Sequence, residues 1–275
     1  MTSVRDLLRA GPDASPLLPR IDPSSHAGIR SKAEALREIE ETARRLADLQ
    51  ERLWAEHTRS LLVVLQGMDT SGKGGTIKHV FRGVNPAGLD VAAFKRPTPE
   101  ELAQPFLWRI EQRLPDPGEI VIFDRSHYED VLVVRVRNLV PEDVWRPRYE
   151  EIVEWERRVA SAGTAIVKVY LHISYDEQRE RLLARLDDPD KHWKFNEGDI
   201  EERAHWRDYM AAYEDVFARC HTDVAPWYIV PANRKWYRNW AVERLVVETL
   251  EELDPRFPRP DLDVWALKER LAPPN

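Results

Sequence analysis

The sequence predicts an α/β protein in which helices cover both faces of a mostly parallel five-stranded sheet. Short apolar runs alternate with longer segments of helical periodicity, which is the pattern of consecutive βαβ units. The first of these units carries a glycine-rich turn between its apolar run and its helix. The chain has 275 residues, of which 43% are hydrophobic and 32% charged, an ordinary composition for a globular protein with one sizeable core.

Charge and cysteine content limit the functions that this chain can have. The net charge of −7 gives no general attraction to nucleic acid or to an anionic membrane, so a polyanionic ligand would need a local basic cluster. Cys220 is the only cysteine, which excludes an internal disulfide and a cysteine-rich zinc site. The N-terminus lacks the apolar core of a signal peptide, and no window approaches membrane-spanning length. We therefore expect a cytoplasmic protein without nucleic-acid or membrane partners.

The chain is expected to begin with an irregular arm and an amphipathic helix. Residues 1–30 contain Pro, Gly, Ser and Asp without a clear period. Residues 31–57 carry apolar side chains at three- and four-residue steps or their sums, which predicts a helix that packs on its own domain rather than forming a dimer seam. The stripe consists of Leu36, Ile39, Ala43, Leu46 and Leu53.

A single domain is predicted over residues 31–257, with a lid at about 176–200 and a tail over residues 258–275 that ends in one short helix. Two helices have start signals at capping-box spacing, namely Ser174 with Glu177 and Asp199 with Glu202. The predicted strands are 61–66, 90–94, 119–124, 164–173 and 226–232. The predicted helices are 74–83, 99–113, 141–161, 176–186, 199–219 and 236–252.

The segment GMDTSGKGG contains the Gly-x4-Gly-Lys part of a phosphate-binding loop, between a predicted strand and a predicted helix. Such glycines let backbone N–H groups wrap around an anion, the helix N-terminus adds partial positive charge, and Lys73 would neutralise phosphate oxygens. A glycine-rich turn with a solvated lysine is the alternative, which this position at the first strand-to-helix turn disfavours. The candidate phosphate-binding residues of the loop are Gly67, Ser71, Gly72, Gly74 and Gly75.

Two acids near this loop are candidate metal ligands. Gly74 stands where the common pattern has a hydroxyl that helps to hold magnesium, and Thr76 lies two residues too far on. A metal that bridges phosphates often takes one or two carboxylates, so Asp69 is the natural substitute, although aspartate is also a common turn residue. Asp124 ends the apolar strand EIVIFD beside the loop and is the second candidate; a loop aspartate without metal is its alternative.

The two charged residues after this strand each have two interpretations. Arg125 could hold a transferred phosphoryl group or form a structural ion pair. Glu129 lies at capping-box spacing from Ser126 and could close the first turn of the next helix instead of facing a ligand. From the residues alone, both questions stay open.

A polyanionic ligand of this acidic protein would need a local basic cluster, and one lies in the segment QRERLLARLDDPDKHWK, residues 178–194. Arg181 and Arg185 fall on one face of its helix. A segment between the fourth strand and a long helix can form a lid that closes over phosphates and supplies arginines to the transition state. The alternative is a solvated charged helix, but the upstream phosphate loop favours the lid. Lys194 in the lid and Lys78 after the loop are further candidate phosphate ligands.

A second basic group follows the last predicted strand. Asn233 is expected to be the N-cap of the next helix. The basic residues around it could line a track for a long anion or simply mark the start of a surface helix; they are Arg234, Lys235 and Arg238. Trp236 and Trp240 are one helical turn apart, and core packing is favoured over base stacking for both.

Together, GMDTSGKGG, FDRSHYEDV, HWKFNEGDIEERAHWRDY and APWYIVPANRKWYRNW resemble the polyphosphate kinase 2 family, over about residues 30–257. The resemblance implies a three-layer, thymidylate-kinase-like phosphate-loop fold and phosphoryl transfer between inorganic polyphosphate and nucleotides. It also implies dependence on Mg²⁺, with Mn²⁺ as the alternative ion, and a homo-oligomer, either dimer or tetramer. It implies catalytic roles, as metal, phosphate and lid residues, for Asp69, Lys73, Asp124, Arg125 and Arg185.

The run HYEDV resembles family members that accept nucleoside monophosphates as well as diphosphates, where others carry WYNRA. This resemblance implies a role for Glu129 in nucleotide acceptance and the conversions of AMP to ADP and of ADP to ATP, with guanine nucleotides as further candidate substrates. Asp69 and Asp124 would hold magnesium between the donor and acceptor phosphates. Lys73, Arg125 and Arg185 would neutralise the migrating group.

Two rival functions fit parts of the same pattern. An ATP-dependent nucleotide or small-molecule kinase on the same fold would not respond to polyphosphate. A polyphosphate- or nucleotide-binding module would bind without turnover. A slow nucleotide-hydrolysing switch is disfavoured because the sequence has no Asn-Lys-x-Asp guanine motif.

Overall fold

A computed structural model, which describes residues 3–11 and 17–271, contains the parallel five-stranded sheet that the sequence predicts. The spatial order of the strands is β2-β3-β1-β4-β5, and all pairs are parallel. The strands are β1 (Ser60–Gln66), β2 (Leu89–Ala93), β3 (Ile120–Asp124), β4 (Thr164–His172) and β5 (Trp227–Pro231). The chain passes from β3 on one side of β1 to β4 on the other, which places a topological switch at the carboxyl end of β1.

Helices surround the sheet and connect its strands. The α-helices are α1 (Val4–Leu8), α2 (Lys32–Glu56), α3 (Lys73–Val80), α4 (Pro99–Leu102), α5 (Trp108–Glu111), α6 (Val133–Val136), α7 (Glu142–Trp145), α8 (Arg148–Ser161), α9 (Tyr175–Leu186), α10 (Gly198–Ala204), α11 (Trp206–Arg219), α12 (Lys235–Leu253) and α13 (Val264–Arg270). The 3₁₀-helices are Leu18–Arg20, Pro86–Gly88, His127–Asp130 and Pro189–Lys194. No helix within residues 3–11 and 17–271 combines the length and apolar character that a membrane span requires.

The two faces of the sheet bury two separate apolar clusters. Leu61, Val63 and Leu65 of β1 pack with α1, α2, α3 and α12, whereas Leu62 and Val64 pack with α5, α7, α8 and α11. Every residue of β1 is buried, because a central parallel strand has helices on both faces. The result is the three-layer architecture that the sequence predicts.

Proline divides two of the long helices that periodicity predicts. Residues 99–113 form α4 and α5 with Pro105 between them, and residues 141–161 form α7 and α8 with Pro147 between them. Proline lacks a backbone N–H and disfavours helical geometry at the preceding residue. The predicted helix 199–219 is likewise divided, at His205.

Helix α2 packs on its own domain against α12, as predicted, and Ile39, Leu46 and Leu53 of the predicted stripe are buried. Leu36 is exposed, and Ala35 takes its place in the core. The tryptophan prediction is confirmed for Trp240, which is buried and donates to Glu38 at 2.8 Å, and Trp236 packs against the same cluster.

The arm is not irregular throughout, since Val4–Leu8 is helical. Val4 and Leu8 are buried, and Ala10 N–H donates to the Trp227 carbonyl of β5 at 2.9 Å, so this part of the arm covers the outer edge of the sheet. The tail contains the expected short helix, α13.

One of the predicted helix caps is confirmed and two are wrong. Ser174 Oγ accepts from the Glu177 N–H and caps α9. Asp199 lies inside α10, whose N-cap is Glu197. Asn233 is not the cap of α12, because Arg234 takes the N-cap position. The side-chain oxygen of Asn233 instead accepts from the Ser174 N–H at 3.0 Å and so joins the segments that follow β4 and β5.

Candidate active site

The glycine-rich segment forms a loop between β1 and α3 at the carboxyl edge of the sheet. Gly67 has a φ of 147° and Gly72, the N-cap of α3, a φ of 106°, backbone conformations that favour glycine. A side chain at Gly67 would meet Ser71 Oγ at 2.8 Å and the Leu171 carbonyl at 2.9 Å. The loop therefore needs its first glycine for close packing, whereas a side chain at Gly74 would meet open space.

Lys73 projects from the first turn of α3 back into the loop. Its Nζ donates to the Gly67 carbonyl at 2.8 Å, and the side chain is buried. Burial lowers the pKa of Lys73, as does the positive charge of Arg125, while the carboxylates of Asp69 and Asp124 oppose this shift. A cation with so little water around it interacts strongly with any anion that enters the loop.

Arg125 joins the acids of the site. Its Nη2 donates to Asp69 Oδ1 at 2.7 Å, and its Nη1 lies 3.4 Å from Glu129 Oε2. The charge of Glu129, followed by those of Asp69 and Asp124, raises the pKa of Arg125 against the effect of burial. Arg125 also has a φ of 66°, a left-handed conformation that an arginine rarely adopts.

Asp124 reaches the same place from β3. It pairs in register with Leu65 of β1, one residue before the strand ends, so its side chain emerges beside the phosphate loop. The structure thus brings Asp69, Lys73, Asp124, Arg125 and Glu129 into one cluster, as the sequence predicts.

Glu129 faces this cluster instead of capping a helix. Ser126 Oγ accepts from the Tyr128 N–H, so the capping-box alternative does not hold. The two oxygens of Glu129 are held by different partners: Gln66 Nε2 donates to Oε1 at 3.2 Å, and Arg125 approaches Oε2.

A buried charged network lies beneath this turn, and the sequence gives no local signal for it. Glu156 Oε1 accepts from the Tyr128 hydroxyl at 2.7 Å and contacts His127 Nε2 at 3.2 Å, while Glu156 Oε2 accepts from Lys168 Nζ at 2.6 Å. Burial opposes the charge of Glu156, but Lys168 and His127 together hold its pKa below the usual value. Since His127 and Tyr128 immediately precede Glu129, the network fixes the turn that presents it.

The predicted lid segment lies between β4 and β5 and comprises α9, the 3₁₀-helix Pro189–Lys194 and α10. Arg185 Nη1 donates to the Lys194 carbonyl at 3.1 Å and to Asp199 Oδ2 at 3.2 Å, so this arginine is held within the lid. Burial, followed by the charge of Asp69, raises the pKa of Asp199. Asp199 is therefore close enough to the loop for the charge of Asp69 to act on it. The capping-box spacing of Asp199 predicts only a helix cap and does not predict this position.

Three predicted residues have other surroundings. Lys78 is exposed on α3, and Lys194 is exposed on the lid with its Nζ 4.8 Å from the Trp193 ring centroid. Phosphate binding by these two lysines stays a prediction. Arg181 shares a helix face with Arg185, but the two arginines have different partners. The Arg181 guanidinium donates to backbone carbonyls of the phosphate loop.

The donor set fits a magnesium ion that is completed by phosphates. Within the described ranges, no group of three or more His, Cys, Asp or Glu side chains is placed to hold a metal, so an ion at Asp69 and Asp124 would take its other ligands from phosphates and water. Thr70 Oγ1 and Ser71 Oγ are buried beside Asp69 without a hydrogen-bond partner among the described residues. Such orphaned oxygens are expected where a charged ligand completes the loop.

Comparisons with known proteins agree with this geometry. The sequence model of the polyphosphate kinase 2 (PPK2) family matches residues 29–258. The AMP/ADP-polyphosphate phosphotransferase of Meiothermus ruber is 53% identical over 254 residues, which cover 92% of this chain and 95% of that protein. The ADP-polyphosphate phosphotransferase of Rhodopseudomonas palustris is 43% identical over 78% of each chain. The crystal structure of polyphosphate kinase 2 from Arthrobacter aurescens TC1 superposes with a TM-score of 0.95 at 45% identity, covering 98% of this chain and 96% of that one.

Proposed function

Because the chain belongs to the polyphosphate kinase 2 family, we propose that it transfers phosphoryl groups between inorganic polyphosphate and nucleoside mono- and diphosphates. The observation that carries the proposal is the cluster of Asp69, Lys73, Asp124 and Arg125 at the phosphate loop, with Glu129 beside it. The Meiothermus ruber relative, named for both AMP and ADP, matches almost the whole chain and supports both acceptors.

The chain's own residues stabilise the migrating group by charge. In-line transfer spreads negative charge over the phosphoryl oxygens, so fixed cations in a desolvated site lower the barrier. Lys73 is buried, and Arg125 is held between two carboxylates with a raised pKa, so it stays protonated throughout the working pH range. Magnesium bound by Asp69 and Asp124 would neutralise charge on the bridging phosphate oxygens.

The acceptor phosphate needs no protein base. Its attacking oxygen is already ionised near pH 7, so no side chain has to remove a proton. One phosphoanhydride bond breaks in the donor as another forms in the acceptor, and the phosphoryl group moves with no net change in bond type. The reaction is therefore close to balance and runs in both directions.

The lid arginine requires a change of partner to reach the migrating group. Arg185 is paired with Asp199 in this structure. We propose that phosphoryl oxygens replace this carboxylate when the lid closes, since both are oxygen anions that accept from a guanidinium. Asp199 would then act as the counter-ion of Arg185 in the absence of substrate.

Further properties are proposed from the family resemblance alone. These are the requirement for Mg²⁺ or Mn²⁺, acceptance of guanine nucleotides, assembly as a dimer or tetramer, and a cytoplasmic location. The metal requirement is tested by measuring the rate as Mg²⁺ or Mn²⁺ is added, and guanine acceptance by supplying guanine nucleotides. The assembly is tested by measuring the molar mass by light scattering.

The proposed function is tested by phosphorus NMR of the purified protein with polyphosphate and Mg²⁺. One sample contains AMP and another contains ADP, and products in both are expected. Products from ADP alone would support the family activity but contradict the proposed role of Glu129 in accepting AMP. No transfer in either sample, combined with turnover of ATP and another acceptor, would favour the ATP-dependent kinase. Binding of polyphosphate without turnover at any magnesium concentration would favour the binding module.

A further inference from the structure

Two arginines lie behind the phosphate loop: Arg181, whose side chain is 9% exposed, and Arg238, which is buried. Arg181 of α9 donates through Nη1 to the carbonyls of Thr70 and Ser71, both at 2.9 Å. Arg238 of α12 approaches the same Ser71 carbonyl with its Nη1 at 3.4 Å. Two guanidinium groups from two helices thus converge on one peptide of the loop.

Arg181 also connects the loop to the rest of the site. Its Nη2 donates to the carbonyls of Ala232 and Asn233, at 2.6 and 3.1 Å, and its Nε donates to Glu177 at 2.7 Å. One side chain therefore links the root of the lid, the phosphate loop and the turn after β5. The planar guanidinium supplies its donors in a fixed fork, which suits it to hold several carbonyls at once.

Arg238 is buried without a compensating charge. The residue is 4% exposed, and it forms no ion pair with a carboxylate in the described part of the chain. Its remaining hydrogen bonds go to Asn239 Oδ1. Burial, together with the charge of Arg181, lowers the pKa of Arg238 to about 10. A side chain on Gly72 would overlap Arg238 Nη1, so the loop glycine is what lets the guanidinium approach.

These contacts orient the loop peptide. In a trans peptide the carbonyl of one residue and the N–H of the next point in opposite directions. Because both arginines hold the Ser71 carbonyl, the Gly72 N–H points away from them, toward the side on which a helix N-terminus binds an anion.

We propose that Arg181 and Arg238 are positioning residues for polyphosphate: they hold the 71–72 peptide with its N–H toward the anion, and Arg181 couples the root of the lid to the loop. The choice of polyanion rests on the proposed function. An uncompensated buried cation disfavours folding, so packing alone does not account for Arg238. Its charge is balanced when a polyanion fills the loop.

The test uses Arg238→Met, Arg181→Lys and, as control, Arg179→Met, which removes an exposed charge from α9. Affinity for inorganic tripolyphosphate with Mg²⁺ is measured by calorimetry at a temperature at which circular dichroism shows every variant folded. We expect Arg238→Met to bind about tenfold more weakly and Arg181→Lys about fivefold more weakly, with the control within twofold of wild type. Arg238→Met is expected to unfold at the same or a higher temperature than wild type, because it removes an uncompensated buried charge.

Kinetics with polyphosphate and ADP give the second readout. We expect kcat to fall by about tenfold or more in both variants while the KM for ADP changes less than threefold. If Arg238→Met kept the wild-type tripolyphosphate affinity and kcat, the inference would be overturned. If Arg181→Lys kept the wild-type affinity, a positive charge alone would suffice at position 181, and the positioning role of its guanidinium would be contradicted. Tripolyphosphate binding does not require transfer, so a wild-type protein that fails to transfer would refute the proposed function while the comparison of affinities still tests the pair.

Discussion

Replacing Glu129 by glutamine removes one charge from the cluster and keeps its shape. The glutamine oxygen can still accept from Gln66, which donates to Glu129 at 3.2 Å, but it no longer attracts Arg125 as an ion at 3.4 Å. A charge-assisted hydrogen bond contributes about 1.5–3 kcal/mol and a neutral one about 0.5–1.5 kcal/mol, so the change weakens the placement of Arg125 by about 1–2 kcal/mol. Asp69 continues to hold the other nitrogen of Arg125.

The loss is expected to fall mainly on the shorter acceptor. ADP has a second phosphate that helps to place it, whereas AMP has only the attacking phosphate and depends more on the position of Arg125. We expect kcat/KM to fall about 5–30-fold for AMP and less than about threefold for ADP. The assay is initial-rate chromatography of nucleotide products with saturating polyphosphate, and Glu180→Gln, on the exposed face of α9, is the matched control.

Three results would refute this reasoning. An equal fall for both acceptors would show that Glu129 supports the site in general and does not select the nucleotide. Unchanged kinetics for both would show that the charge of Glu129 has no part in placing Arg125. A change of similar size in Glu180→Gln would attribute the effect to the net charge of the protein.

Three further predictions follow from the same structure. Asp124→Asn should stay folded by circular dichroism and lose roughly a hundredfold or more in transfer rate, and normal activity with an unchanged magnesium requirement would contradict its metal role. Arg185→Ala should lower kcat about tenfold or more while nucleotide Kd, measured by calorimetry, stays within about threefold; an equal loss in both would contradict the lid role. Glu243 is 1% exposed, and neither of its carboxylate oxygens has a hydrogen-bond partner among the described residues. Burial raises its pKa from 4.5 to about 7. Between these values the folded state holds a proton that the unfolded state has lost, so stability falls as pH rises through that window. Glu243→Gln should therefore gain about 2 kcal/mol in unfolding free energy at pH 8 relative to pH 5, and equal effects at both pH values in urea titrations would contradict this.

Much of the fold could be predicted because local sequence encodes it. The apolar runs correspond to strands β1 to β5 within one residue at each end. The glycine pattern and the acid at the end of β3 located the loop and Asp124, since the carboxyl ends of parallel strands share one edge of the sheet. The breaks at Pro105 and Pro147 had a local signal as well, but helical periodicity alone does not register it.

The side-chain partners of the site were decided by the tertiary structure. Whether Glu129 caps a helix or faces Arg125 depends on Gln66, 63 positions away. Arg181 and Arg185 share one helix face and one residue type, yet Arg181 holds carbonyls 110 and 111 positions away and Arg185 pairs within the lid. Periodicity and capping motifs describe neighbours along the chain. Partners in a folded core are set by which strand ends and helix faces the topology brings together, and that juxtaposition is a property of the whole sheet.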